Sequence, residues 1–368
     1  MLYPTHAVID LGAIAHNLRG VRDRVGDRAV LVAVKANGYG HGAVEVSRFI
    51  ESAALADWLG VATVPEGIEL RRAGVRLPIL KLSHAAPAEV DAALDAGITL
   101  TVVDADSIDQ VARRAPAGTP VHLVLDTGMR RIGAEPDAAV DLARRIDASG
   151  LGLQGLMTHL PISDVPEGAE FTRNQLARFR RAVAEVEDAR GPVPLVHASN
   201  SGAVLGHDLA GMTLVRPGVM VYGYYPDPQA ERSVVLRPAM ELRTRVTFIK
   251  PIRAGETVGY GRTWTAPRDT WIATVPVGYG DGYSRKLSNR GLMSIRGRCY
   301  PVVGRVCMDQ TMLDLGPDTP EVHVGDDVIA MGEASLGIEP TAAAMGTIPY
   351  EVTCLITARV TRHYTGGA

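Results

Sequence analysis

Five charged or polar side chains stand at the ends of apolar runs, and their types suit acid–base and covalent chemistry. Lys35 follows AVLVAV, Asp126 follows VHLVL, His159 follows GLMT, His197 ends VPLVH and Arg216 follows MTLV. A lysine leaving a buried strand loses solvation, which lowers its pKa and makes it a Schiff-base nucleophile. Alone, Lys35 fits equally well a lysine that snorkels out to water. His159 and His197, each taken singly, fit satisfied core histidines, and Asp126 fits a helix cap. Five such groups at equivalent positions favour one shared site.

Two loops have the composition of anion cradles. HASNSG (197–202) and RPGVMVYG (216–223) supply small hydroxyls and glycine-flanked amides, with Ser201 and the amides around Gly218 and Val219 as the cradle. Ordinary turn chemistry explains either loop by itself. Gly-Tyr-Gly occurs at 38–40, 259–261 and 278–280, and the first lies a few residues from Lys35. Flanking glycines allow the backbone to approach a ligand closely while presenting a phenol. The chain holds eleven tyrosines against four phenylalanines, so its aromatic groups mostly carry a polar end.

These groups need elements to position them. Eight short apolar, β-branched runs cover 29–34, 59–63, 78–82, 98–102, 121–125, 153–158, 193–197 and 212–215, and helical segments such as 170–190 separate them. Near-continuous apolar strands alternating with helices imply a parallel sheet covered by helices. Eight repeats in this length favour closure into a (β/α)8 TIM-like barrel, with an open doubly wound sheet as the alternative. In a closed barrel the strand C-termini carry the active site, where the five groups stand. From about Val235 the texture becomes short strands punctuated by Gly and Pro. The expected fold is therefore α/β: a barrel over 11–235, then a mainly-β C-terminal domain over 236–368, which an N-terminal strand within 1–10 joins.

Composition excludes several roles. A formal net charge of −3 argues against general nucleic-acid binding. No apolar run approaches the roughly 20 residues that span a bilayer. The start MLYPTHAVID has no basic stretch followed by an apolar core, so no signal peptide is expected. Cys299, Cys307 and Cys354 lack CxxC spacing, which fits a reduced, cytoplasmic compartment and offers no metal-site pattern.

VKANGYGHG (34–42) resembles the cofactor-lysine motif of the alanine racemases, enzymes of the type III pyridoxal-phosphate (PLP) fold. The resemblance continues in family order through DTGMRRIG (126–133), GLMTH (155–159), HASNSG, RPGVMVYG, GYGRTW (259–264), VGYGDGY (277–283), GRVCMDQ (304–310) and IPYEVTC (348–354). It implies interconversion of L- and D-alanine, supplying D-alanine for cell-wall peptidoglycan. Lys35 would hold PLP as a Schiff base and act as one acid–base group, with Tyr260 as the opposing base. Two bases on opposite faces suit a racemisation, which removes a proton from one side and returns it on the other. Free tyrosine has a pKa near 10, and the family assists it through the imidazole of His159 and then Arg216.

The resemblance also places Arg216 opposite the pyridine nitrogen, with His197 among the cofactor-binding residues. An arginine there disfavours a fully protonated ring. Tyr39, Ser201, Gly218, Val219 and Tyr350 would hold phosphate. Arg131 and the Met308 N–H would take the substrate carboxylate, beside Tyr260, while Tyr279, Tyr350 and Asp309 would form the entrance. Tyr260, Met308 and the GRVCMDQ loop would reach the partner's cofactor in a head-to-tail homodimer. Many relatives carry a carbamylated lysine two residues before the DTGM aspartate; here that residue is Val124, leaving Asp126, an anion or another carboxylate to position Arg131. Broader amino-acid racemisation, for example of serine, is the alternative within this fold. A PLP-binding regulator without turnover is disfavoured by the β-rich half, and a decarboxylase by Arg216.

Overall fold

The computed structural model describes residues 3–332 and 336–367. The chain divides into two units. One is Ala15–Val221 with Tyr225–Leu236; the other comprises the described residues of Met1–Ile14, Tyr222–Tyr224 and Arg237–Ala368.

In the strands, β1 is His6–Asp10 and the first unit contributes β2 (Ala29–Ala33), β3 (Trp58–Val61), β4 (Ile79–His84), β5 (Ile98–Val102), β6 (Pro120–Val124), β7 (Gly152–Met157), β8 (Leu195–His197) and β9 (Leu214–Val215). These eight form one parallel sheet in the order β8-β7-β6-β5-β4-β3-β2-β9, so the eight apolar runs become the staves of a barrel, as the alternation predicts. No regular ladder joins β8 to β9. The Thr213 N–H donates to the Val196 carbonyl at 2.9 Å and the Arg216 N–H to the Ser199 carbonyl at 2.8 Å, drawing that seam together.

Alternation along each strand fills the interior. Leu31, Leu80, Val124, Met157 and Leu214 form a buried cluster, with Trp58, Leu82 and Leu195 packed against it. Each such side chain contributes about 1.5–3 kcal/mol by leaving water. Val124 is thus part of this apolar cluster. Outside the sheet, helices start at readable caps. Thr63 and Glu66 form a capping box at Val64–Arg72, and Asp104 and Ser107 do so at Ala105–Ala112. The long helix runs Ala169–Arg190, one residue longer than its pattern.

The second unit is mainly β. Its strands are β10 (Met240–Arg245), β11 (Phe248–Ile252), β12 (Thr257–Val258), β13 (Trp264–Thr265), β14 (Thr270–Val275), β15 (Leu292–Ile295), β16 (Arg298–Pro301), β17 (Thr311–Gly316), β18 (Asp327–Met331) and β19 (Thr361–Thr365). One sheet has the order β16-β15-β18-β10-β1-β19, a second β11-β14-β17, and β12-β13 form a ribbon. β1 lies antiparallel to β10 and parallel to β19, which ties the chain start to its end. Helices at Ile338–Met345 and Pro349–Cys354 interrupt the β texture. Both are short. Gly346 ends the first with φ 68°, and Pro349 begins the second. No helix among the described residues is long and apolar enough to cross a membrane.

Candidate functional site

Lys35 stands two residues beyond β2 at the head of an unusual turn. Ala36, Asn37, Gly38, Tyr39 and Gly40 all have positive φ, from 51° to 83°. A left-handed conformation costs a non-glycine residue about 1–2 kcal/mol, so the surroundings must impose it. Several hydrogen bonds do so. The Gly38 N–H donates to the Val34 carbonyl at 2.8 Å and the Gly40 N–H to that of Ala36 at 3.0 Å. The Ala36 N–H donates to Glu66 Oε1 at 2.8 Å, and the Ala43 N–H to Asn37 Oδ1 at 2.9 Å. The turn buries Tyr39 and leaves Lys35 half-exposed.

Tyr39 reaches the cradle. A Cβ on Gly218 would lie 2.7 Å from the Tyr39 hydroxyl and 3.9 Å from the Ala33 methyl, so only glycine leaves this space clear. The Ser201 hydroxyl accepts the Gly218 N–H at 2.9 Å and the Met220 N–H at 3.4 Å. Asn200 caps Ser201–Gly206 by accepting the Ala203 N–H, which orients Ser201 at the first turn. Val219 begins the short helical turn Val219–Tyr222. A phenol, a serine hydroxyl and the amides of this turn therefore converge around Gly218, a donor set suited to phosphate.

Arg216 follows β9 directly and is 5% exposed. Its Nη2 donates to the Thr158 carbonyl at 2.7 Å, to the Ala198 carbonyl at 3.1 Å and to His159 Nδ1 at 3.3 Å. Its Nη1 donates to His197 Nδ1 at 2.8 Å. Burial, then the charge of Arg131, pushes the guanidinium down to about 10, which leaves it cationic at neutral pH. Burial and then the Arg216, Arg131 and Lys35 charges hold His159 at about 3. Burial, Arg216 and His122 hold His197 well below the ordinary histidine value. Both imidazoles are therefore neutral. The expected link between His159 and Arg216 is present.

Asp126 forms no ion pair with Arg131 among the described residues. Its Oδ1 accepts the Gly128 N–H at 2.8 Å and the Arg130 N–H at 3.1 Å, closing the loop upon itself. Arg131 is exposed, and the neighbouring Arg130 pairs with Glu135. A different brace holds the loop. Gln175 Nε2 donates to Thr127 Oγ1 at 3.2 Å and to the His159 carbonyl at 3.3 Å, while the Thr127 and Thr158 hydroxyls bond at 2.8 Å.

The remaining residues belong to the β-rich unit. Tyr260 sits in the turn Tyr260–Arg262 between Gly259 and Gly261, both at positive φ, and is 73% exposed. It borders a cavity of about 490 Å³ with Val258, Cys307 and Met312. The Tyr279 N–H donates to the Cys307 carbonyl at 3.0 Å and the Gly280 N–H to the Met308 carbonyl at 2.9 Å, bringing these two motifs together. Buried Asp281 anchors that turn by accepting from the Gly278 N–H at 2.9 Å and the Tyr3 hydroxyl at 2.9 Å. Arg359 bridges Asp281 to Asp309, whose Oδ1 lies 2.7 Å from Nη2. Tyr350 is half-buried on Pro349–Cys354.

Glu66, Gln175 and Asp281 carry weight in this arrangement and were not singled out in the sequence, nor were His122, 2.8 Å from His197 Nε2, and Gln154, 3.3 Å from His122 Nε2. For Glu66 the signal was the capping box TVPE; for His122 it was an inward position two residues before Val124.

Known proteins match the chain along nearly its whole length. The family described as alanine racemase, N-terminal domain matches residues 9–226, and alanine racemase, C-terminal domain matches 239–364. The alanine racemase of Cutibacterium acnes is 54% identical over 370 residues, covering 99% of this chain and 98% of its own. That of Desulforamulus reducens is 41% identical, with 100% of both chains covered. The crystal structure of alanine racemase from E. faecalis superposes with a TM-score of 0.92 at 34% identity, covering 99% of each chain. The chain belongs to the alanine racemase family, isomerases acting on amino acids.

Proposed function

We propose that this chain interconverts L- and D-alanine using PLP carried on Lys35, and that it works in the cytoplasm to supply D-alanine for peptidoglycan. The observation that carries the reading is Arg216, a buried cation whose bonds to His159 and His197 are both donated. The cradle around Gly218 fits a phosphate group, and Lys35 leads the adjoining turn. PLP, when bound, supplies the electron-withdrawing ring that acidifies the Cα–H of the amino acid.

The protein's own groups then govern the protons. Arg216 gives up no proton readily, so it donates a hydrogen bond to a ring nitrogen without protonating it. By leaving that nitrogen unprotonated, Arg216 would favour rapid return of the proton to Cα over side reactions. His159 accepts from Arg216 at Nδ1, so its neutral ring carries hydrogen on Nε2. That N–H stabilises a phenolate by donation, which is the assistance Tyr260 needs to work near neutral pH. Lys35 Nζ moves the proton on one face and the Tyr260 oxygen on the other. Arg131 and the Met308 N–H hold the carboxylate, Tyr39, Ser201, Gly218, Val219 and Tyr350 hold phosphate, and Tyr279, Tyr350 and Asp309 restrict entry. The working unit is a homodimer in which Tyr260, Met308 and Asp309 serve the partner's barrel.

Purified protein given L-alanine should form D-alanine, resolved by chiral chromatography, and should be yellow. Lys35→Ala should lose both properties. A variant with an unchanged visible band would remove the cofactor assignment, and lack of D-alanine from yellow wild-type protein would remove the reaction.

A further inference from the structure

Arg216 heads a hydrogen-bond chain that runs deep into the barrel. His197 Nδ1 is 2.8 Å from Arg216 Nη1, His197 Nε2 is 2.8 Å from His122 Nδ1, and His122 Nε2 is 3.3 Å from Gln154 Oε1. A guanidinium only donates, and a neutral imidazole has one donor and one acceptor nitrogen. His197 Nδ1 is therefore bare and its Nε2 bears the hydrogen. His122 in turn accepts at Nδ1 and donates from Nε2. The chain needs an acceptor at its end, and the amide oxygen of Gln154 is one that adds no charge. An amide nitrogen turned to the same place would reverse both imidazoles and set a His197 N–H against Arg216.

The fold makes specific room for this chain. The ladder between β6 and β7 pairs Val121 with Leu153 and His122 with Gly155, so Gln154 is an extra residue in a bulge. A bulge re-aims a side chain that strict alternation would point away. At Gly155 a Cβ would lie 2.5 Å from His122 Nδ1, so the missing side chain is the space the imidazole fills. His122 and His197 are wholly buried, with their rings edge to face at 5.0 Å. Arg216 and His197 are the charged or titratable groups facing His122, and the Trp58 ring lies beside it at 5.7 Å.

We propose that Gln154 and His122 are positioning residues for the racemisation, fixing His197 in the tautomer that accepts from Arg216. They thereby hold the guanidinium in place as a donor. The inference rests on the role given to Arg216 above.

Gln154→Glu tests it by placing a charge-bearing acceptor at the end of the chain. A carboxylate lets His122 take a second proton, and the new N–H on Nδ1 then opposes the His197 N–H. The variant should racemise alanine like wild type at pH 9. It should gain an acid-side limb in kcat, with at least a tenfold loss by pH 6, while KM changes less than threefold. Histidine 15N spectra of the wild-type holoenzyme should show an unprotonated Nδ1 and a protonated Nε2 at His197. A kcat profile that superimposes on wild type, or a His197 proton on Nδ1, overturns the proposal. The spectra decide the tautomers even in protein that does not racemise alanine, so failure of the functional reading is seen separately.

Discussion

Glu66 Oε1 accepts the N–H of Ala36 at 2.8 Å, so the residue beside Lys35 is tied to the start of the helix Val64–Arg72. The other oxygen, Oε2, accepts the N–H groups of Ala62 and Thr63 at 2.8 and 3.1 Å. One carboxylate thus closes a helix cap and restrains the left-handed turn that presents the lysine. Glu66→Ala should cost about 0.5–2 kcal/mol in urea unfolding, the usual range for a lost cap. It should also weaken cofactor retention in an absorbance titration, with Glu66→Gln intermediate. Loss of stability with unchanged cofactor affinity would show that the turn holds its shape without Glu66.

The barrel was legible because its eight runs are apolar on both faces, and because Lys35, Asp126, His159, His197 and Arg216 stand at their C-terminal ends. Periodicity shows where a strand ends but not what the next residue's backbone does. Hence the positive φ of Ala36, Asn37 and Tyr39 had no sequence signal beyond the nearby glycines. Gln154 was illegible for a related reason. Strict alternation points it away from His122, and only the bulge between β6 and β7 turns it back. The helices Ile338–Met345 and Pro349–Cys354 were hidden by their length, since one or two turns cannot display a 3.6-residue period. Asp126 was one of three groups the sequence left open to position Arg131; its Oδ1 instead accepts the amides of its own loop, which no spacing could show.

Gly218→Ala tests whether the space beside Tyr39 belongs to the phosphate cradle. The added methyl would meet the Tyr39 hydroxyl at 2.7 Å and the ring carbon behind it at 3.3 Å. Overpacking of this kind costs about 1–3 kcal/mol, so PLP affinity should fall by roughly tenfold or more. Removing the hydroxyl with Tyr39→Phe should relieve the closer clash, and the double variant should bind PLP better than additivity of the single variants predicts. Strict additivity in a fluorescence titration would contradict the cradle.

Stability should decline as the solution becomes acidic. Burial lowers the pKa of His122 to about 4, and that of His197 lies well below the ordinary value. An unfolded chain binds a proton at each near pH 6.5. From there down to about pH 4 the unfolded state holds protons that the folded state refuses, so stability rises with pH across this window and is lost on acidification. Each imidazole contributes a slope approaching about 1.4 kcal/mol per pH unit. Urea unfolding between pH 6 and 5 should therefore show a slope smaller by about that amount in His122→Asn. The slope matters here, because the substitution also changes absolute stability. Equal slopes would mean that His122 titrates alike in both states.

Subunit mixing addresses the shared site. Lys35 lies in the barrel unit and Tyr260 in the β-rich unit, where it is 73% exposed. If each Tyr260 serves the other chain's Lys35, a dimer of one Lys35→Ala chain with one Tyr260→Phe chain contains one intact pair and one doubly defective pair. Neither homodimer contains an intact pair. Random exchange makes half of the dimers hybrid, so a mixture of two inactive proteins should recover up to about a quarter of wild-type sites. The recovered activity should racemise alanine in both directions, since its one complete site has both bases. Exchange can be verified independently with differently tagged chains. Complete exchange without recovered activity would place Lys35 and Tyr260 of one catalytic pair on the same chain.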